Sequence, residues 1–190
     1  MGVVLVWVVF AVTAGTPFRS LDGTAAYLNA AAPLGILSVG VALLMIGGEF
    51  DLSIGSIVGA AGMSIMLFTT HFGWPVWPAI AATLALCLLI GFLNGYAVVR
   101  TGLPSFIVTL ATLFIVRGLT IASARGLTRR TQLGGLDDVP GYESARILFG
   151  SDPLAGFRVS ILWWVGAASL ATWVLLRSPY GNWIFGAGGK

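Results

Sequence analysis

The chain has 190 residues, of which 57% are hydrophobic and only 9% are charged, whereas a soluble domain contains about 25% charged residues. This composition excludes an ordinary soluble domain and predicts an all-α, polytopic transmembrane protein embedded in a lipid bilayer. The formal net charge of +3 is small, and the absence of a basic run gives no indication of nucleic-acid binding.

The sequence contains no pattern that is typical of an enzyme or a metalloprotein. Cys87 is the only cysteine and lies in an apolar run, where an inert thiol is expected. His71 is the only histidine, whereas a metal site needs several convergent ligands. No nucleophile–base pair and no phosphate-binding glycine loop is found. We therefore expect no catalytic residue, no metal and no cofactor, and any ATP that drives the protein should be bound by another chain.

The apolar runs predict about six membrane spans. A helix needs about 20 residues to cross a hydrocarbon core of about 30 Å, and the first run, from Gly2 to Ala14, is shorter than that. It lacks the basic start of a signal peptide, so we interpret it as an incomplete span. Residues 17–29 are predicted to form an interfacial segment. The other spans are predicted at 33–48 (with 25 as an alternative start), 52–70, 76 or 78 to 99, 105–124 and 161–176.

The connection between the second and third spans combines glycines with two carboxylates. Gly47 and Gly48 predict the end of a helix, because glycine adopts left-handed backbone angles without a steric penalty. Asp51 or Ser53 can cap the next helix, and Glu49 adds a second carboxylate. A helix break at membrane depth must be surrounded by protein or water, and we predict a helix that breaks and restarts around Gly47–Ser53. A short polar turn between two ordinary spans is the alternative.

Two glycine pairs predict close helix packing. Gly55/Gly59 and Gly91/Gly95 are each four residues apart, which places both members on one helix face and allows a neighbouring helix to approach closely. Asn94, inside the second pair, is expected to hydrogen-bond across helices.

The fifth span carries a polar stripe that faces other helices or a pore. At 100° per residue, five hydroxyl side chains share this face: Ser105, Thr109, Thr112, Thr120 and Ser123. Such hydroxyls also bond to the preceding turn of their own helix, so simple helix packing is the alternative. Arg117 lies about 80° from the stripe and roughly 10 Å from the predicted helix end, close enough for partial snorkelling to the interface.

Four stretches resemble one family, the membrane permeases of ribose-type ABC sugar importers. The segment from Glu49 to Ser56, EFDLSIGS, resembles the family signature G-x-(I/F)-D-L-S-V-G-S. The segment from Asn94 to Thr112 is similar to the N-G-x-L-V-x-x-x-x-(V/I)-P-x-F-I-V-T-L-x-T motif, and the arginine–glycine pair that usually continues this motif is present at Arg117. Residues 180–189 resemble the F-G-R-x-(I/V)-Y-A-x-G-G-N run.

This resemblance implies a multi-pass permease subunit of a monosaccharide importer (for ribose, xylose, arabinose or galactose) in the bacterial inner membrane. It also implies three partners: a second permease chain, identical or not, a cytoplasmic ABC ATPase and a periplasmic sugar-binding protein. The residues implied to line the pathway or to pack beside it are Glu49, Asp51, Ser53, Asn94, Thr109, Thr112 and Arg117. Those implied on the ATPase-coupling side are Tyr180, Gly181, Asn182, Gly186, Gly188 and Gly189.

The resemblance also implies an orientation and a single permease domain over residues 1–190. With Arg100, Arg177 and Lys190 in the cytoplasm, the parity of six spans makes 125–159 an extracytoplasmic loop, although its five arginines oppose this orientation.

Phe50 stands where the family more often has isoleucine, Asn182 replaces the usual arginine, and Lys190 replaces the usual asparagine. Family members are longer, and the segment that docks on the ATPase does not follow, so a truncated or half-length permease that keeps its membrane fold is expected. Three alternatives remain open at this point: a permease for branched-chain amino acids or nucleosides, an ion-coupled secondary transporter, and a non-transporting remnant of a broken gene.

Overall fold

A computed structural model describes residues 2–153 and 156–189 of the chain; Lys190 lies outside the described residues. These residues form α-helices and connections, without a β-strand in either described range. The helices are α1 (Gly2–Thr13), α2 (Gly15–Arg19), α3 (Leu21–Ile46), α4 (Ile54–Met66), α5 (Val76–Thr101), α6 (Ser105–Thr128), α7 (Tyr142–Gly150), α8 (Val159–Arg177) and α9 (Pro179–Gly188). A π-helical turn, Leu67–His71, continues α4.

Five of these helices are long and apolar enough to cross a membrane, which confirms the prediction of an all-α polytopic membrane protein. They are α3, α4 with its π-helical turn, α5, α6 and α8. The first predicted span corresponds to α1, which has only 12 residues and therefore extends over about 18 Å.

Two predicted boundaries were wrong. Helix α3 begins at Leu21, so most of the predicted interfacial segment belongs to the helix that crosses the membrane. It continues through Pro33, which removes only one backbone donor and is tolerated in membrane helices. Helix α6 continues to Thr128, so the first residues of the predicted loop 125–159 are still part of the span.

The chain folds as two compact units, and the first comprises residues up to Gly40 together with Leu148–Gly181. Within it, the Asn29 side chain clamps the backbone that precedes α8. Its amide nitrogen donates to the Gly156 carbonyl oxygen (2.7 Å), and its carbonyl oxygen accepts from the Arg158 N–H (2.9 Å). The indole of Trp164 packs directly on Gly35, where a Cβ would leave it no room.

The second unit comprises Val41–Ile147 and the chain from Asn182 onward. In it, α4 packs against both α5 and α6, and the buried side chains are small, such as Ala60 and Ala79. Large apolar side chains on the outer face of α5, including Leu88 and Phe92, are exposed. This distribution suits a bundle whose outer surface contacts lipid instead of water.

The glycine pairs do not behave as predicted. Among the described residues, nothing lies within 4 Å of the position that a Cβ would occupy on Gly55, Gly59, Gly91 or Gly95. The close helix approaches predicted there are therefore not made by this part of the chain, and these glycines instead leave open space beside α4 and α5.

Candidate functional site

The candidate site begins where α3 ends, at the two glycines that the sequence analysis identified. Gly48 has a left-handed backbone (φ +84°). Its N–H donates to the Met45 carbonyl oxygen (3.0 Å), and the Glu49 N–H donates to the Leu44 carbonyl oxygen (3.1 Å). This hydrogen-bond pair is the glycine-dependent Schellman ending of a helix. The predicted break is confirmed, and α4 restarts at Ile54.

The backbone between α3 and α4 is held by hydroxyl groups of α6. Ser105 Oγ accepts from the Phe50 N–H (3.0 Å), and Thr109 Oγ1 accepts from the Leu52 N–H (3.1 Å). Thr109 Oγ1 also donates to the Ser105 carbonyl oxygen (2.9 Å), one helical turn earlier. These side chains satisfy amide groups that have left the helix and would otherwise lack a hydrogen-bond partner.

A chain of hydrogen bonds connects the break to α5 and α6. Thr112 Oγ1 donates to Asn94 Oδ1 (2.6 Å), Asn94 Nδ2 donates to Ser53 Oγ (3.0 Å), and Ser53 Oγ donates to Asp51 Oδ1 (2.6 Å). The Ser53 N–H reaches the same carboxylate oxygen (2.7 Å). Ser53 is fully buried and Asn94 is 7% exposed. Every donor in this series has an acceptor, so the polar groups are buried without an unsatisfied partner.

The structure corrects the prediction about the helix cap. Ser53 precedes α4, but its hydroxyl makes no hydrogen bond to the first-turn amides, because it is engaged by Asn94 and Asp51. Among the described residues, the only backbone N–H that donates to the Asp51 carboxylate is that of Ser53, which precedes the helix. The two residues therefore connect helices instead of capping one.

A cavity of 230 Å³ lies beside this network. Two carboxylates (the exposed Glu49 and the half-buried Asp51), the Asn94 amide and the hydroxyl-bearing Ser105 and Thr109 supply its polar groups. The remaining lining is apolar or glycine, from Leu44, Phe50, Gly91, Gly95, Val98 and Val99. Such a mixture of hydrogen-bond acceptors and donors on an apolar wall can bind a small hydroxylated solute.

Four of the pathway residues predicted from the resemblance form this chain of hydrogen bonds: Asp51, Ser53, Asn94 and Thr112. Of the others, Thr109 bonds to the backbone of the break, and Glu49 lines the cavity beside it. Ser105 was missed as a site residue although it lies on the predicted polar stripe. The far end of that stripe takes no part, since Thr120 donates to the Val116 carbonyl oxygen (2.7 Å) and Ser123 to that of Thr120 (3.0 Å).

Arg117 is not part of this network. It is exposed and lines a separate groove between α4 and α6, together with Gly55, Ser56, Gly59 and Thr120. Because α6 extends to Thr128, Arg117 lies 11 residues from its end, or about 16 Å. The snorkelling distance inferred from the sequence was therefore too short.

The predicted coupling segment forms α9, and its two ends belong to different units. Tyr180 and Gly181 belong to the first unit, where a Cβ on Gly181 would overlap the Leu175 carbonyl group. In the second unit Gly188 packs against the Ile46 carbonyl group, and its Cα lies 3.4 Å from the Cβ position of Gly48. The last helical residue of the segment thus touches the helix break. The other predicted residues are exposed: Asn182, Gly186 and Gly189.

Thr109→Val should reveal how much the break depends on α6. Valine has nearly the shape of threonine but leaves the Leu52 N–H without its acceptor, so we expect the free energy of unfolding to fall by about 1–3 kcal/mol. Thr109→Ser is the matched control, because it keeps the hydroxyl and should retain most of the stability. Unfolding of each variant in detergent micelles measures the difference; equal losses for valine and serine would mean that packing, and not the hydrogen bond, supports the break.

Comparison with known proteins identifies one matching family and several similar permeases. A family model described as "Branched-chain amino acid transport system / permease component" matches residues 23–189. The chain is 36% identical to the xylose transport system permease protein XylH of Escherichia coli K12 over 66% of its own length and 32% of that protein. It is 31% identical to XylH of Haemophilus influenzae, over 86% of the chain and 44% of that protein.

The fructose import permease protein FrcC of Rhizobium meliloti is 28% identical, over 97% of the chain and 51% of that protein. The chain thus spans between a third and a half of the length of these curated relatives. No solved structure matches it significantly.

Proposed function

This chain belongs to the family of branched-chain amino acid transport system permease components, and from that premise we propose that it forms the pathway-lining part of a monosaccharide ABC importer. It is a multi-pass protein of the bacterial inner membrane. The names of the relatives, xylose and fructose permeases among them, favour a sugar over a branched-chain amino acid or a nucleoside.

The observation that carries this proposal is the hydrogen-bonded break between α3 and α4. The side chains that hold the backbone of this break also line the cavity beside it, namely Asp51, Asn94, Ser105 and Thr109, so we expect the break to shape a binding surface. In our proposal the carboxylates of Asp51 and Glu49 accept hydrogen bonds from the hydroxyl groups of a passing sugar, and the Asn94 amide can both donate and accept. The solute is moved without covalent change, so these residues bind and do not catalyse.

The remaining parts of the importer are proposed by analogy with the family. A second permease chain would complete the pathway, a periplasmic binding protein would deliver the sugar, and a separate cytoplasmic ATPase would hydrolyse ATP. The connection between α6 and α8 would then face the periplasm, and α9 would face the ATPase. Helix α8 lies between these two segments in the sequence and is long enough to cross the membrane once, which is consistent with opposite sides.

Deletion of the gene in its host tests the proposal. Uptake of radiolabelled xylose, ribose, arabinose, galactose and fructose is compared with uptake of leucine, before and after the chain is restored from a plasmid. We expect the uptake of one monosaccharide to fall and to recover, while leucine uptake stays constant. Loss of leucine uptake alone would favour the branched-chain amino acid alternative. If sugar uptake stops when the proton gradient is collapsed but continues when ATP is depleted, an ion-coupled transporter would be favoured.

A further inference from the structure

The last turn of α9 and the end of α3 are in direct backbone contact. A Cβ on Gly188 would overlap the Ile46 carbonyl oxygen, and its position lies 3.2 Å from the carbonyl carbon of Gly47. From the side of α3, the Cβ position of Gly48 lies 3.4 Å from the Gly188 Cα. All of these residues belong to the second unit. Because a Cβ at position 188 has no room, this close approach requires glycine there.

A second contact lies one helical turn earlier in α9. Cγ2 of Ile184 is 3.9 Å from the Cβ position of Gly47, which is an ordinary van der Waals distance. Residues 184 and 188 therefore pack on both glycines at which α3 ends. Because protein interiors are densely packed and transmit displacements, a movement of this turn of α9 must be followed by the end of α3 or must open a gap between them.

Only two residues separate this contact from the carboxylate of the network. Glu49 and Phe50 connect Gly48 to Asp51, and consecutive Cα atoms stay about 3.8 Å apart. Phe50 is fixed by its N–H, which donates to Ser105 Oγ (3.0 Å). The end of α3 therefore cannot shift without breaking this hydrogen bond or moving Glu49 and Phe50, which both line the cavity. The contact of α9 is thus linked to the cavity through a continuous series of bonded or packed groups.

We propose that the last turn of α9, residues 184–188, fixes the conformation of the helix break, and that Gly188 is a positioning residue for the cavity beside Asp51. While this turn packs on the end of α3, Ser105 and Thr109 keep their hydrogen bonds to the break. When the turn withdraws, the break is released and the cavity changes shape. The meaning of this control for transport rests on the proposed function, whereas the contacts that carry it are made between residues of this chain.

Hydrogen exchange at the break tests the proposal on the folded chain in detergent micelles. Gly188→Ala adds the Cβ that has no room, and Gly186→Ala adds one to the same helix where nothing lies within 4 Å. We expect the Phe50 and Leu52 amides to exchange about tenfold faster in Gly188→Ala than in Gly186→Ala. The Val76 amide, which bonds to the connection before α7, opens locally and should differ by less than about twofold.

A disulfide provides the opposite manipulation. Gly47→Cys and Ile184→Cys, in a Cys87→Ala background, place two sulfurs at a contact where the Cβ position of one residue and Cγ2 of the other are 3.9 Å apart, close enough for a disulfide. With the turn held on α3, the Phe50 and Leu52 amides should exchange about tenfold more slowly than in the reduced form. The reduced form is the same protein, so this comparison does not depend on how well Gly188→Ala folds.

The shape of the cavity is measured separately, with a thiol that lies on neither α3 nor α9. Val98 of α5 lines the cavity and is half-buried, so Val98→Cys in the Cys87→Ala background reacts with a water-soluble thiol reagent at a rate set by access to the cavity. Gly188→Ala should raise this rate about fivefold relative to Gly186→Ala. Thr70→Cys, at the opposite end of the α4 span, is the control and should react alike in both.

Four results would overturn the proposal. The first two are unchanged exchange at Phe50 and Leu52 when the disulfide forms, and failure of the two cysteines to cross-link under mild oxidation. The third is an acceleration at Val76 equal to theirs, which would make Gly188 a purely structural residue. The fourth is equal reactivity of Val98→Cys in the two alanine variants. None of these measurements involves sugar uptake, so a failure here is distinct from a failure of the proposed transport function.

Discussion

Asp51→Asn is expected to lower solute uptake about tenfold while membrane insertion stays normal. The amide oxygen of asparagine can replace Oδ1 and still accept from the Ser53 N–H and the Ser53 hydroxyl. A hydrogen bond to a charged acceptor contributes about 1.5–3 kcal/mol, compared with about 0.5–1.5 kcal/mol for a neutral one. The substitution therefore keeps the geometry of the break but weakens the two hydrogen bonds that Ser53 donates to this side chain. It also removes the negative charge of Asp51 from the cavity.

Cells that carry the substitution at the native locus provide the measurement, with labelled sugar for uptake and membrane fractionation for insertion. Glu49→Gln is the matched control: it removes one charge from the same cavity, but the Glu49 carboxylate makes no hydrogen bond within the described residues. We expect a smaller loss for this variant. Uptake unaffected by Asp51→Asn would reduce Asp51 to a solvated turn residue, worth about 1 kcal/mol to stability.

Gly188→Ala is expected to destabilise the second unit by about 1–3 kcal/mol, the usual cost of overpacking. Its new Cβ would overlap the Ile46 carbonyl group, which belongs to the backbone at the end of α3 and cannot rotate away. Either the end of α9 must move off the break, or the ending of α3 must distort. Because the Schellman hydrogen bonds at Gly48 lie next to this contact, we expect the change to loosen the break as well.

A second glycine of the same helix gives an internal control with the opposite sign. Gly186 also lies in α9, but nothing is within 4 Å of its Cβ position, so Gly186→Ala should stabilise the helix by about 0.5–1 kcal/mol. Unfolding in detergent and hydrogen exchange at Phe50 and Leu52 measure both effects. Equal stability of the two variants would show that α9 does not contact the helix break between α3 and α4 in the folded protein.

The sequence by itself determined the class of protein, the long helices and the position of the break. Hydropathy over 20-residue runs is a local property, and so is the tendency of a glycine pair to end a helix, because it depends on the left-handed backbone that glycine allows. The polar stripe on α6 was also visible, since helical periodicity alone places Thr109 and Thr112 on one face. Helix ends were less well predicted because Pro33 and the polar end of α6 were read as boundaries, whereas the helical hydrogen bonds continue through both.

Only the tertiary structure decided which of these groups have partners. Periodicity says that residues share a face but not what that face meets, so it could not separate Thr112, which bonds to Asn94, from Thr120, which bonds to its own helix. For the same reason it predicted packing at Gly55 and Gly59, where no described residue approaches. The contact of Gly188 with the end of α3 joins residues more than 140 positions apart, and a contact of that kind depends on how helices pack, which no local pattern encodes.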